Sequence, residues 1–176
     1  MGSWEQSIPD SVRAFVARVH VSQTYNGGPY TKHLEQVVDI VHPITQEYDI
    51  ILAAYLHDVL EDGRAAGVTA DGLLNLPGVT TRAVALVQAV TRGPGSRRKT
   101  IPAALQATRV AGSDATLIKL ADRIANVESC WANLDTRLFM YWREYGEFRN
   151  VLRVESDERL RPLWDWLDRA LGWRTE

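Results

Sequence analysis

Along almost the whole chain, apolar residues recur every three or four positions, and the alternation of a half-buried strand is nearly absent. That periodicity commits the chain to helices packed on helices, so the fold class expected is all-α. A first helix spans about Pro9–Ser22, with Ser7 as a candidate cap and Val12, Phe15, Val16 and Val19 on one face. Adjacent glycines and a proline in "SQTYNGGPY" break the chain, and a second helix runs from Tyr30 or Thr31 to Val41. The third, about Asp49–Glu61, is apolar nearly all round until His57 and should sit centrally. A short helix follows Thr69 and ends before "LPG"; another starts near Thr80 and turns Val84, Val87 and Val90 inward. "TRGPGSRRKTIP" reads as a loop, and further helices cover roughly Ile101–Val110, Asp114–Cys130, Thr136–Val154 and Asp157–Leu171. The segments Gln23–Pro29 and Gly93–Thr100 are the expected mobile parts.

With 176 residues and no repeat or linker, one domain over 1–176 is expected, its core over about 12–154 and a last helix over 157–171. The net charge of −2 provides no global basic excess to replace the counterions of a nucleic acid. No apolar run approaches the roughly 20 residues that span a bilayer. Cys130 is the single cysteine, which excludes a disulfide framework and a cysteine-type zinc site. "MGSWEQ" lacks the basic and apolar regions of a secretion signal, Gln6 departs from the myristoylation pattern, and Met1–Ser3 is compatible with an expression remnant. The expectation is a soluble, cytoplasmic protein.

The third helix poses the chemical question. "ILAAYLHDVLEDG" (Ile51–Gly63) is built for burial, yet His57, Asp58, Glu61 and Asp62 fall within six positions. His57 and Glu61 are i,i+4 neighbours, as are Asp58 and Asp62, so the four gather at one helix end. In "LIKLADRIANVES", Asp122 and Asn126 share a face, with Lys119 one turn earlier. His33 follows the glycine-rich break. Imidazole and carboxylate donors together suit manganese, iron or zinc, and a metal with open positions can activate water and polarise a phosphoryl group. Each signal also has a plainer reading. "HDVLED" fits a solvated acidic terminus, though acids there oppose the helix dipole at about 0.3–1 kcal/mol each. Asp122 fits a salt bridge to Arg123 or another base, His33 a hydrogen-bonded core histidine, and Arg97–Lys99 a solvated loop. His20 and His42 lack acidic neighbours at helical spacing and read as structural or surface residues.

The order His33, His57-Asp58, Asp122 resembles the H…HD…D signature of the HD superfamily of metal-dependent phosphohydrolases. "GPYTKH" (Gly28–His33), "AAYLHDVLEDG" (Ala53–Gly63), "LVQAVTR" (Leu86–Arg92) and "LIKLADRIANVES" (Leu117–Ser129) are similar to the hydrolase domain of the RelA/SpoT alarmone family. "YWREYGEFRNVL" (Tyr141–Leu152) resembles the tail of its single-domain members, the small alarmone hydrolases. The resemblance implies a helical bundle around a central metal site and removal of the 3′-pyrophosphate of (p)ppGpp, with Mn²⁺ or another divalent transition metal. It implies His33, His57, Asp58 and Asp122 as ligands, and Glu61 and Asp62 as the pair that positions and activates water. Asn126 would lie by the sugar. Of the cations an anionic substrate requires, Lys119 and Arg143 are preferred over the Arg97–Lys99 loop. Tyr30 either lines the pocket or packs at its helix start.

Three positions depart from the family. Thr24 and Tyr25 stand where cations are expected, although Tyr25 has a face on which a base could stack. Gly63 replaces a frequent Thr, with an effect expected on a turn rather than on the metal. The alternatives are an HD phosphohydrolase for another phosphorylated nucleotide, such as NADPH, and a non-catalytic nucleotide-binding regulator. The expected partner is a small nucleotide, with neither nucleic acid nor membrane. Trp131, Trp142, Trp164, Trp166 and Trp173 are expected mostly as core anchors, an exposed subset offering a homo-oligomer interface.

Overall fold

The computed structural model describes residues 4–153 and 157–173; Val154, the expected helix end, and Met1–Ser3 lie outside them. The chain forms α1 (Asp10–Val19), a hairpin of β1 (Thr24–Tyr25) and β2 (Gly28–Pro29), α2 (Thr31–Val41), α3 (Tyr48–Leu56), α4 (Val59–Asp62) and α5 (Ala70–Leu74). Then come α6 (Thr81–Val90), α7 (Arg97–Ala111), α8 (Ser113–Ala132), α9 (Arg137–Leu152) and α10 (Arg161–Ala170). The fold is all-α apart from that hairpin. Among the described residues no helix is long and apolar enough to cross a membrane.

Helix α8 is the axis: α2, α3, α6, α7, α9 and α10 all pack against it. Leu117, Ile118, Leu120, Ala121, Ile124, Ala125 and Val127 are buried, so this helix is covered on nearly every side. Helix α3 is central as well; every residue from Ile50 to Leu56 is buried. The two share one apolar core with the buried residues of α2 and α6. Of the late tryptophans only Trp164 is buried, whereas Trp131, Trp142 and Trp173 are exposed.

Three local boundaries differ from the sequence expectation. The helix expected over Asp49–Glu61 is broken: α3 ends at Leu56, Asp58 occupies the capping position of α4, and the N–H groups of Glu61 and Asp62 both donate to the Asp58 carbonyl. His57 contributes to the break, since its Nδ1 lies 2.8 Å from the Ala54 carbonyl oxygen and competes with the helical ladder. Second, α7 begins at Arg97, so Arg97, Arg98 and Lys99 form its first turn rather than a loop. Pro102 sits inside that helix and withholds one donor, which is why the segment reads as irregular. Third, Asn26 (φ 51°) and Gly27 (φ 74°) make the left-handed two-residue turn of a hairpin, a signal present in "YNGG". The Asn26 side chain fixes the hairpin to α8, accepting from the Ser129 hydroxyl at 2.6 Å and from Asn133 Nδ2 at 2.8 Å.

Gly63 shows how closely the turn after α4 is packed. A Cβ there would lie 2.6 Å from Val68 Cγ2 and 3.2 Å from Val19 Cγ1. Gly63→Ala should therefore lower unfolding stability by about 1–3 kcal/mol, read as a lower denaturant midpoint. An unchanged midpoint would show that Val68 and Val19 yield without cost.

Candidate metal centre

Three elements bring the donors together. Helix α2 provides His33 from its first turn, the α3–α4 break provides His57 and Asp58, and α8 provides Asp122. Had α3 continued unbroken, the residue after His57 would have stayed in regular helical register; the irregular backbone of Asp58 (φ −97°, ψ −9°) sets both groups at one point. Donor atoms of His33, His57 and Asp58 all lie within 4.8 Å of one another. Asp122 Oδ1 is 3.4 Å from His33 Nε2 and 3.7 Å from His57 Nε2, while Asp58 Oδ2 is 3.1 Å from His57 Nε2.

Both imidazoles are buried, and neither Nε2 has a hydrogen-bond partner among the described residues. Buried polar atoms are seldom left so. Two orphaned imidazole nitrogens converging with two carboxylates fit a divalent transition metal. His57 Nδ1 faces the Ala54 carbonyl, which sets the tautomer and leaves Nε2 as the coordinating atom. The carboxylates are oriented as well. The Tyr30 hydroxyl donates to Asp58 Oδ2 at 2.6 Å, and Asn126 Nδ2 donates to Asp122 Oδ1 at 2.6 Å.

The ionisable groups of the site compensate one another. Burial favours a neutral His57, but Asp58 and Asp122 outweigh it and push the ring up to about 10. Burial likewise raises the two carboxyls, yet His57 beside Asp58 and Lys119 beside Asp122 hold both below the ordinary carboxylate range. Lys119 Nζ is 3.1 Å from Asp122 Oδ2, so the partner of Asp122 is Lys119. Arg123 points away to Glu144, at 3.2 Å, and over the rings of Tyr141 and Phe148.

The centre forms one end of a cavity of about 210 Å³. Asp58, Glu61, Asp62 and Asp122 line its acidic side; Arg92, Arg97, Lys119, Arg123 and Arg137 supply cations to its walls. Asn126 and Tyr30 are also in the lining, so Tyr30 both faces the cavity and stacks at its helix start on buried His20. His20, without an acidic neighbour in sequence, lies 3.4 Å from Asp62 in the fold.

Two expected substrate residues are not in this lining. Arg143 is on the exposed side of α9, in a neighbouring groove with Arg98, Met140 and Glu147. Tyr25 lies behind His33, its hydroxyl oxygen 2.9 Å from both Gln36 Oε1 and the Ala125 carbonyl oxygen, one of which accepts its proton. Spacing alone does not single out Arg92, Arg137 and Tyr141; they come from just after α6 and from α9, and only folding brings them to the same cavity as the acids.

No protein-family model and no curated protein matches the sequence. Among solved structures the chain is similar to a metazoan ortholog of SpoT that hydrolyses ppGpp and plays a role in starvation responses. The TM-score is 0.77 at 22% identity, covering 95% of this chain and 98% of that one. This likeness shows the all-helical fold.

Asp58 and Asp122 favour the protonated form of His57, so a metal competes with a proton for Nε2. Metal binding should therefore release protons, and affinity should rise with pH. Calorimetry of Mn²⁺ or Zn²⁺ binding in buffers of different ionisation enthalpy measures this directly; a proton count of zero would contradict the assignment.

Proposed function

We propose that this protein is a divalent-metal-dependent phosphohydrolase that removes the 3′-pyrophosphate of (p)ppGpp, leaving GDP or GTP, with Mn²⁺ as its metal. The observation that carries the reading is the pair of buried imidazole Nε2 atoms, without a hydrogen-bond partner among the described residues, that converge on Asp58 and Asp122 at a cavity lined by cations. The likeness to a ppGpp-hydrolysing SpoT ortholog supports the choice of substrate.

His33, His57, Asp58 and Asp122 would hold the metal. When bound, it supplies a Lewis acid for a phosphoryl oxygen and lowers the pKa of water. The protein's own groups do the rest. Asp62 and Glu61, on the cavity wall just beyond Asp58, orient the attacking water and accept its proton at a carboxylate oxygen. Lys119, Arg97, Arg123 and Arg137 hold the negative charge of the phosphates. Arg97 and Arg123 both pair with Glu144, which reduces their mutual repulsion and fixes their forks. Tyr30 and Asn126 keep Asp58 and Asp122 in place. The whole chain acts as one domain in this reading, in the cytoplasm where nucleotide substrates are made.

Two variants separate the roles. Asp58→Ala should lose bound metal and ppGpp hydrolysis together. Glu61→Gln should retain metal while turnover falls about 10²–10⁴-fold, the range for loss of a positioned acid–base group. Metal analysis with a pyrophosphate-release assay checks both. The reverse pattern would overturn the assignments, and turnover of NADPH but not ppGpp would overturn the substrate.

A further inference from the structure

Arg92 stands at the end of α6, outside the ligand and carboxylate motifs, yet it occupies both oxygens of Glu61. Its Nη2 is 2.5 Å from Glu61 Oε1, and its own backbone N–H donates to Glu61 Oε2 at 3.2 Å. The other arm of the fork is engaged elsewhere: Nη1 donates to the Gly95 carbonyl at 3.2 Å and to Thr100 Oγ1 at 3.1 Å. From behind, Arg64 Nη2 donates to the Arg92 carbonyl at 2.6 Å. Arg92 is thus fixed at side chain and backbone, and it passes that rigidity to one carboxylate.

Glu61 needs such a hold. It lies on the four-residue α4, its backbone N–H bonded to the Asp58 carbonyl, and its side chain is about three-quarters buried at the cavity wall. A glutamate carries substantial rotamer freedom, roughly 1.5–2 kcal/mol when fully lost, so a free one would sample several positions. We propose that Arg92 is the positioning residue for Glu61, fixing the water-orienting carboxylate through a planar fork and a backbone N–H. Lysine cannot replace it, because one ammonium does not reach Glu61, Gly95 and Thr100 with a fixed planar geometry. Arg92 differs in this from Arg97 and Arg123, whose partner Glu144 is remote from the acidic end. With its donors committed to Glu61 and the following turn, Arg92 acts on the water rather than on the phosphates. The role given to Glu61 rests on the phosphohydrolase reading; the Arg92–Glu61 coupling does not.

The test is a double-mutant cycle on ppGpp hydrolysis with Arg92→Lys, Arg92→Ala, Glu61→Gln and the Arg92→Ala/Glu61→Gln pair, with metal content and melting temperature recorded for each. Crystal structures of the wild type and Arg92→Lys accompany it. Both Arg92 variants should lose about 10–100-fold in kcat, the scale of a misplaced catalytic group, with KM and metal content nearly unchanged. In the Glu61→Gln background, Arg92→Ala should cost little more, because the group it positions is already disabled. The Arg92→Lys crystal should show the Glu61 carboxylate turned from its wild-type position. A raised KM with kcat retained, or an equal loss in the Glu61→Gln background, would make Arg92 a phosphate contact and overturn the proposal. If the wild type does not hydrolyse ppGpp, the proposed function fails by itself. The crystals then decide for Arg92: a displaced Glu61 supports the coupling and an unmoved one overturns it.

Discussion

Two buried imidazole nitrogens without a hydrogen-bond partner, each within 4 Å of a carboxylate oxygen, set the terms for the structure around them. Burying charge is costly unless it is paired. Here the pairing is made among four side chains from three separate elements, so the helices must be held to within fractions of an ångström. The core meets that demand by wrapping six helices on α8, which carries Asp122, while α2 and α3 pack on each other and on α8. Apolar packing and the polar site are two aspects of one arrangement.

The site also costs the fold regularity. Continuing α3 through Asp58 would preserve the helical ladder; the chain instead interrupts it at the residues that bear donors. The short α4 that follows carries Glu61, held by Arg92, and Asp62, which lies 3.4 Å from a His20 Nδ1 bonded to Gln23. The acidic end is thus fixed from outside its own helix. Cations of α7, α8 and α9 line the same cavity, Lys119 pairing directly with Asp122.

How far this could be read from sequence varies by feature. The all-α fold, the central α3 and the gathering of His57, Asp58, Glu61 and Asp62 follow from apolar periodicity and helical spacing. His33 and Asp122 stand out in their own segments, but their joining His57 and Asp58 as one ligand set enters only through resemblance, because nothing local reveals that residues so far apart meet. The break at Asp58 is not legible in the sequence, since propensity favours continuing the helix and the contact of His57 Nδ1 with the Ala54 carbonyl shows only in the fold. The basic turn at Arg97–Lys99 reads as a loop in sequence because Pro102 and the glycines before it carry that signal, whereas packing of Ile101 and Leu105 keeps the helix. Arg143 illustrates the converse: the motif extends through α9, but the helical turn puts that side chain on the exposed face, while Tyr141 faces the cavity.

The most direct test of the account is to follow metal-depleted protein with ppGpp in ¹⁸O-labelled water, before and after Mn²⁺ is restored, by mass spectrometry of the products. Attack of water on the phosphorus nearest the ribose breaks its bond to the 3′ oxygen, so one ¹⁸O should appear in pyrophosphate and none in GDP, and only with metal present. Orthophosphate as the labelled product, or turnover indifferent to metal, would contradict it.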